Sequence, residues 1–181
     1  MIDKYKKVAV IGAGTMGNGI AHVFAQCGYD VNLIDISEQA LARGRDTIAK
    51  NMDRQVKKET MTEAEKTAAL ERIRSVTDLA EGVADRALVV EAATENLDLK
   101  MKIFAQMDAH APEGAILATN TSSISITLIA SATKRAGNVI GMHFMNPVPL
   151  MKLIEIIKGY DTTEEVLKDI MALSRDLGKD P

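Results

Sequence analysis

Val8-Ala9-Val10-Ile11-Gly12-Ala13-Gly14-Thr15-Met16-Gly17 is the stretch that decides the fold. A short β-branched run, Lys7 to Ile11, stops at a glycine, and a helical pattern opens at Thr15. Strand, Gly-x-Gly-x-x-Gly and helix in that order form a cradle for a dinucleotide. Gly12 permits the tight turn, Gly14 lets a pyrophosphate approach the backbone, and Gly17 lets the helix sit close to the sheet. The helix N-terminus, with Thr15 and Met16 in its first turn, offers unpaired N–H groups and a partial positive charge to the phosphates.

The second strand, Val31 to Ile34, ends at Asp35. A carboxylate there accepts hydrogen bonds from a ribose 2′-OH and repels a 2′-phosphate, which favours NAD over NADP. A flavin is the main rival ligand, since its fold uses a similar cradle.

Outward from the cradle, strand and helix signals alternate, the pattern of a doubly wound α/β protein with a mostly parallel sheet. The first helix runs from Thr15 to Cys27 and is closed by Gly28. Ser37 is the expected N-cap of a long helix reaching about Lys58, and Thr62 with Glu65 forms a capping box for another. The span from about 38 to 74 is charged and Ala-rich with helical periodicity, and reads as a protruding helical pair without strand signal. Ala87 to Glu91, Ala115 to Ala118 and Val139 to Met142 are uninterrupted apolar runs suited to buried parallel strands. Leu153 to Ile157 is a further strand, and Thr162 with Glu165 reads as a capping box for a last helix ending at Gly178.

Bulk properties exclude several function classes. The chain has 181 residues, enough for one domain with a proper core. A net charge of −3 argues against a nucleic-acid partner, and 3% aromatic residues with no Trp argue against base-stacking platforms. No apolar run approaches the ~20 residues needed to span a bilayer. With Cys27 as the single cysteine there is no disulfide framework. His22, His110 and His143 do not pair at metal-ligand spacing, so no metal site is expected. The N-terminus enters a strand almost at once, leaving no room for a targeting peptide, and a cytoplasmic setting is expected.

The chemistry concentrates in Met142-His143-Phe144-Met145-Asn146-Pro147-Val148-Pro149, with Ser122 upstream and Glu155 downstream. His143 ends a strand, where α/β enzymes place ligands. The prolines stiffen the turn that follows. A histidine there can take a hydroxyl proton as hydride leaves, and a carboxylate on its other ring nitrogen would fix its tautomer. Glu155, on the strand returning beside His143, is the candidate partner. A base beyond a dinucleotide cradle suggests hydride transfer at a carbon bearing a hydroxyl.

Thr121-Ser122-Ser123, His143 to Pro149 and Met151-Lys152-Leu153-Ile154-Glu155 resemble the L-3-hydroxyacyl-CoA dehydrogenases, and among them the bacterial 3-hydroxybutyryl-CoA enzymes. The resemblance runs from the glycine loop to Gly178-Lys179. It implies an NAD-dependent interconversion of (S)-3-hydroxyacyl-CoA and 3-oxoacyl-CoA, with His143 as general base oriented by Glu155. Ser122 would bond the substrate oxygen, Asn146 would face the substrate, and Asn120 would lie beside the nicotinamide. Glu95 and Lys100 match cofactor contacts. Lys50, Asn51, Arg54, Lys57 and Lys58, on the helical pair, match an arm over the coenzyme A moiety; a solvated helix end is an equal reading for Lys57 and Lys58. The family continues into an all-helical domain that forms a homodimer and supplies an active-site Asn. That domain is absent from this NAD-binding domain of residues 1–181, so the isolated chain is expected to turn over poorly. Two other readings compete. One is an NAD-binding structural or sensing protein on the same fold, which would have no need of Ser122, His143 and Glu155. The other is a β-hydroxyacid dehydrogenase, which shares only the opening glycines.

Overall fold

The computed structural model describes residues 2–181. A 3₁₀ turn at Asp3–Tyr5 leads into β1 (Lys7–Ile11), α1 (Thr15–Gln26), β2 (Asp30–Ile34), α2 (Glu38–Lys57), α3 (Glu63–Glu71) and β3 (Ile73–Val76). There follow α4 (Leu79–Val83), β4 (Leu88–Glu91), α5 (Leu97–His110), β5 (Ile116–Thr119), α6 (Ile126–Ala130), β6 (Val139–Phe144), β7 (Ile154–Lys158) and α7 (Glu164–Asp176). The strands form one sheet in the order β3-β2-β1-β4-β5-β6-β7. All neighbours pair in parallel except β6 and β7, which pair antiparallel.

The order reverses between β1 and β4. The loops leaving their carboxyl ends diverge there and open a crevice, the place where doubly wound sheets hold ligands. β4 and β5 are buried along their whole length, which is why they read as unbroken apolar runs. The core lies in two layers. Val8, Val10, Phe24, Leu33 and Ile140 belong to one cluster, and Ala9, Val89, Phe104, Leu117 and Val139 to the other. Alternate residues of a strand thus feed opposite faces of the sheet. Among the described residues no helix is long and apolar enough to cross a membrane.

Three expectations are corrected. The span 38–74 is not wholly helical, because Ile73 and Arg74 begin β3, which pairs with β2 from Val31↔Ile73 to Ile34↔Val76. As an edge strand it buries only its first and last residues and leaves Arg74 and Ser75 exposed, so it lacks an apolar run. The helical pair does not protrude either. Leu41, Ile48 and Met52 of α2 are buried in the main core, and both helices pack on α1. Finally, α7 is capped by Thr163, whose hydroxyl accepts from the Val166 N–H. Thr162 is used elsewhere: its hydroxyl accepts from Gly159 N–H and donates to Val139 C=O, closing the end of β7 onto β6.

Candidate active site

The glycine loop is built by steric exclusion. Gly12 has φ +99°, and a Cβ there would lie 2.7 Å from the Ala92 carbonyl oxygen at the end of β4. A Cβ on Gly17 would lie 1.7 Å from the Gly12 carbonyl oxygen, so α1 can start against the loop only if that position is bare. Gly14 meets nothing within 4 Å: its bareness keeps open the space in front of the helix.

α1 begins without a side-chain cap, whereas Ser37, Thr62, Asp78, Asn96, Ser125 and Thr163 cap the other six α-helices. The first N–H groups of α1 therefore lack the partner the other helices have, and face the space Gly14 leaves open. These features fit a pyrophosphate. Asp35 closes the cradle from β2: its carboxylate accepts from Ala13 N–H at 2.9 Å and Ser37 N–H at 3.0 Å. It is half-buried, and the fully exposed Ile36 follows it.

Across the crevice, β4 ends in Glu91, completely buried. Its carboxylate accepts from Lys100 Nζ at 2.7 and 3.0 Å, Thr119 Oγ1 at 2.7 Å and Ala93 N–H at 2.7 Å. Lys100 is 1% exposed and also lies 3.4 Å from the Glu95 carboxylate. Glu95 accepts from the hydroxyls of Thr121 and Ser123. Burial pushes its carboxyl up, but those hydroxyls and the Lys100 charge outweigh burial and hold it below the usual range. A buried charge pair this well supplied with partners holds one geometry, since the alternative is a bare charge in a low dielectric.

His143 lies on β6 directly opposite Glu155 on β7. The separation of Nδ1 from Glu155 Oε2 is 2.8 Å. With Nδ1–H donated to the carboxylate, Nε2 keeps its lone pair and can accept a proton. Two adjoining depressions share His143 and Ser122. One is lined by Met16, Ala92, Glu95, Lys100, Asn120 and Asn146, the other by Thr121 to Thr127 with Glu155 and Lys158. Asn120 is held by its Oδ1, which accepts from Phe144 N–H at 2.8 Å, so its amide NH₂ remains available to a ligand.

The structure thus gathers Met16, Glu95, Lys100, Asn120, Ser122, His143 and Asn146 around one crevice, with Glu155 behind His143. Lys50, Asn51, Arg54, Lys57 and Lys58 are not among them. Lys50, Arg54, Lys57 and Lys58 stand exposed on the second half of α2 and just beyond it, and Arg54 donates to Asn51 Oδ1 at 3.0 Å. Glu91, Thr119 and Thr121 fix Lys100 and Glu95 through their carboxyl and hydroxyl groups; in the sequence Thr121 stands out only as part of Thr121-Ser122-Ser123, and Glu91 and Thr119 not as site residues. A lone acid closing the apolar run Leu88-Val89-Val90 was the available signal for Glu91. Gly19 was also overlooked: a Cβ there would lie 2.9 Å from Val148 Cβ, so α1 presses on the turn after His143. A glycine inside a helix costs ~1 kcal/mol against Ala, and such a cost points to a close approach.

Comparison with known proteins agrees with this geometry. Residues 7–181 match the family profile of the 3-hydroxyacyl-CoA dehydrogenase NAD binding domain. The chain is 51% identical over 170 residues to a 3-hydroxybutyryl-CoA dehydrogenase of Bradyrhizobium diazoefficiens, covering 92% of this chain and 58% of the relative. It is 43% identical over 182 residues to the mitochondrial hydroxyacyl-coenzyme A dehydrogenase of Rattus norvegicus, covering 97% and 58%. The crystal structure of (S)-3-hydroxybutyryl-CoA dehydrogenase from Ralstonia eutropha superposes with a TM-score of 0.95 at 49% identity, covering 98% of this chain and 62% of that one. The chain therefore spans about three fifths of the length of these relatives. The chain belongs to the 3-hydroxyacyl-CoA dehydrogenase family and corresponds to its NAD binding domain.

Proposed function

We propose that the complete protein interconverts (S)-3-hydroxyacyl-CoA and 3-oxoacyl-CoA, with 3-hydroxybutyryl-CoA as substrate, as a cytoplasmic homodimer. The observation that carries the reading is the His143–Glu155 pair beside Ser122, at the junction of the two depressions. NAD supplies the hydride acceptor, and the uncapped α1, Asp35, Glu95, Lys100 and Asn120 hold it. His143 Nε2 takes the 3-hydroxyl proton as the carbonyl forms and returns it in the reverse direction. Glu155 stabilises the imidazolium that results. The Ser122 hydroxyl bonds the same substrate oxygen, fixing it toward His143. Lys50, Arg54, Lys57 and Lys58, exposed, and the partly buried Asn51 are donors suited to coenzyme A phosphates.

NADH oxidation dependent on acetoacetyl-CoA, measured on the complete gene product, tests the proposal. A protein that binds NADH yet shows no such oxidation is a sensing or structural member of the fold, and the proposed activity fails.

A further inference from the structure

Lys179 follows α7 at its C-terminal end and is 6% exposed. Gly178, at φ +70°, turns the chain there, and Lys179 N–H closes back on Ser174 C=O. A lysine in this position ordinarily reaches its own helix carbonyls or solvent. Here the ammonium donates to the carbonyls of Val148 at 2.5 Å and Met151 at 2.7 Å, 31 and 28 residues away. Neither carbonyl accepts a backbone N–H among the described residues, and no ion pair joins Lys179 to a carboxylate among them. The backbone beside it continues the same linkage: Asp180 N–H donates to Lys152 C=O, and Ile154 N–H to Asp180 C=O.

The segment so gripped runs from Asn146, in the crevice, to Glu155, the partner of His143. Its opposite side rests on α1, where Gly19 admits Val148. We propose that Lys179 is a positioning residue for catalysis: its ammonium fixes the 146–151 turn, and through it Asn146 and the Glu155 strand, against His143. This rests on the proposed dehydrogenase function. A buried ammonium spent on two loop carbonyls is an expensive way to hold a surface turn, and a geometry that must be kept to within a fraction of an ångström gives a reason for it.

The test uses the complete gene product with Lys179→Met, which keeps the stem and removes the donors, and Lys179→Arg, which restores them. NADH affinity, kcat and KM for acetoacetyl-CoA, and the NMR signals of the His143 imidazole are measured for each. In Lys179→Met, kcat is expected to fall at least ~10-fold, with NADH affinity within about threefold of wild type and the His143 signals displaced. A fall of that size accords with misplacements near 1 Å costing up to ~10²-fold, and Lys179→Arg, which restores the charge and the donors, should recover kcat to within about threefold. Unchanged kcat and unchanged His143 signals in Lys179→Met overturn the proposal. So does a loss of NADH binding equal to the loss of kcat, which would make the residue merely structural. Should Lys179→Met not fold, Lys179→Gln takes its place: its shorter, uncharged side chain loses the ammonium's joint hold on the two carbonyls, and unchanged kcat with unchanged His143 signals overturns the proposal there as well. If the wild type itself shows no acetoacetyl-CoA reduction, the proposed function fails, while the His143 signals still decide whether Lys179 positions the site.

Discussion

His143 and Glu155 face each other across the antiparallel β6–β7 pair, with Nδ1 2.8 Å from Oε2. The register that joins them extends from Ile140↔Lys158 to Phe144↔Ile154. The contact is thus fixed by backbone ladders on both sides rather than by two free side chains. Glu155 keeps 53% of its side chain exposed, so its charge remains hydrated while one oxygen holds the ring.

His143→Ala should leave NADH affinity nearly unchanged, since the ring's hydrogen bond goes to Glu155 and not to the groups proposed to hold NAD. Acetoacetyl-CoA reduction by the complete protein should fall by ~10²–10⁴-fold, the usual contribution of a positioned base. Glu155→Gln should cost less. Its amide oxygen still accepts Nδ1–H, but the charge that stabilises the imidazolium is gone. Steady-state kinetics of the two variants side by side checks the order, and a His143→Ala rate within about threefold of wild type would assign the proton transfer elsewhere.

Asp35 predicts a preference for NADH over NADPH. Its carboxylate already accepts from Ala13 and Ser37 N–H, and its remaining lone pairs can meet a ribose 2′-OH but repel a phosphate. Asp35→Ala should narrow the gap between the two cofactors. It should also weaken both, because the glycine loop loses its tie to β2. Fluorescence titration with NADH and NADPH separates these effects; equal wild-type affinities would remove the assigned role.

His22 predicts an acid limb in stability. It is completely buried on α1, and burial depresses its basicity more than the Gln55 and Gln26 contacts restore it. A base with a depressed folded pKa binds its proton more readily unfolded. The stability it contributes is therefore present above the ordinary value of 6.5 and is lost as pH falls through the lower folded value. His22→Gln should flatten this dependence, as read by urea unfolding at several pH values below neutrality. An unchanged acid limb would mean that other groups set it.

How much of this was legible in the sequence depends on how local each signal is. The cradle was legible because Gly12, Gly14, Gly17 and Asp35 are defined by steric and charge requirements that few other residues meet. β4, β5 and β6 were legible because strands buried on both faces must be apolar throughout. β3 was not, because an edge strand with Arg74 and Ser75 exposed carries no such run. The cap of α7 was misassigned by one residue because Thr162 and Thr163 sit side by side, and only the β6–β7 contact decides that Thr162 serves Val139. The role of Glu91 stayed hidden for a related reason, although a lone acid at the end of an apolar run marked the position. Its partners Lys100 and Thr119 come from α5 and β5, and no spacing rule relates them.

The Glu91–Lys100 pair gives the last prediction. Both side chains are essentially inaccessible to water, and every oxygen of Glu91 has a donor. Lys100→Met should destabilise the chain by about 3–5 kcal/mol, because a buried carboxylate then loses its compensating charge. Glu91→Gln should be costly for the opposite reason, leaving the ammonium with the partly exposed Glu95 carboxylate, 3.4 Å away, as its one charged partner among the described residues. The double variant carries neither orphan charge, so its loss should be well below the sum of the two single losses. Both single variants should also weaken NADH, since Lys100 and Glu95 line the crevice. Urea unfolding of the four chains measures the coupling, and strictly additive losses would show that the two charges do not sustain one another.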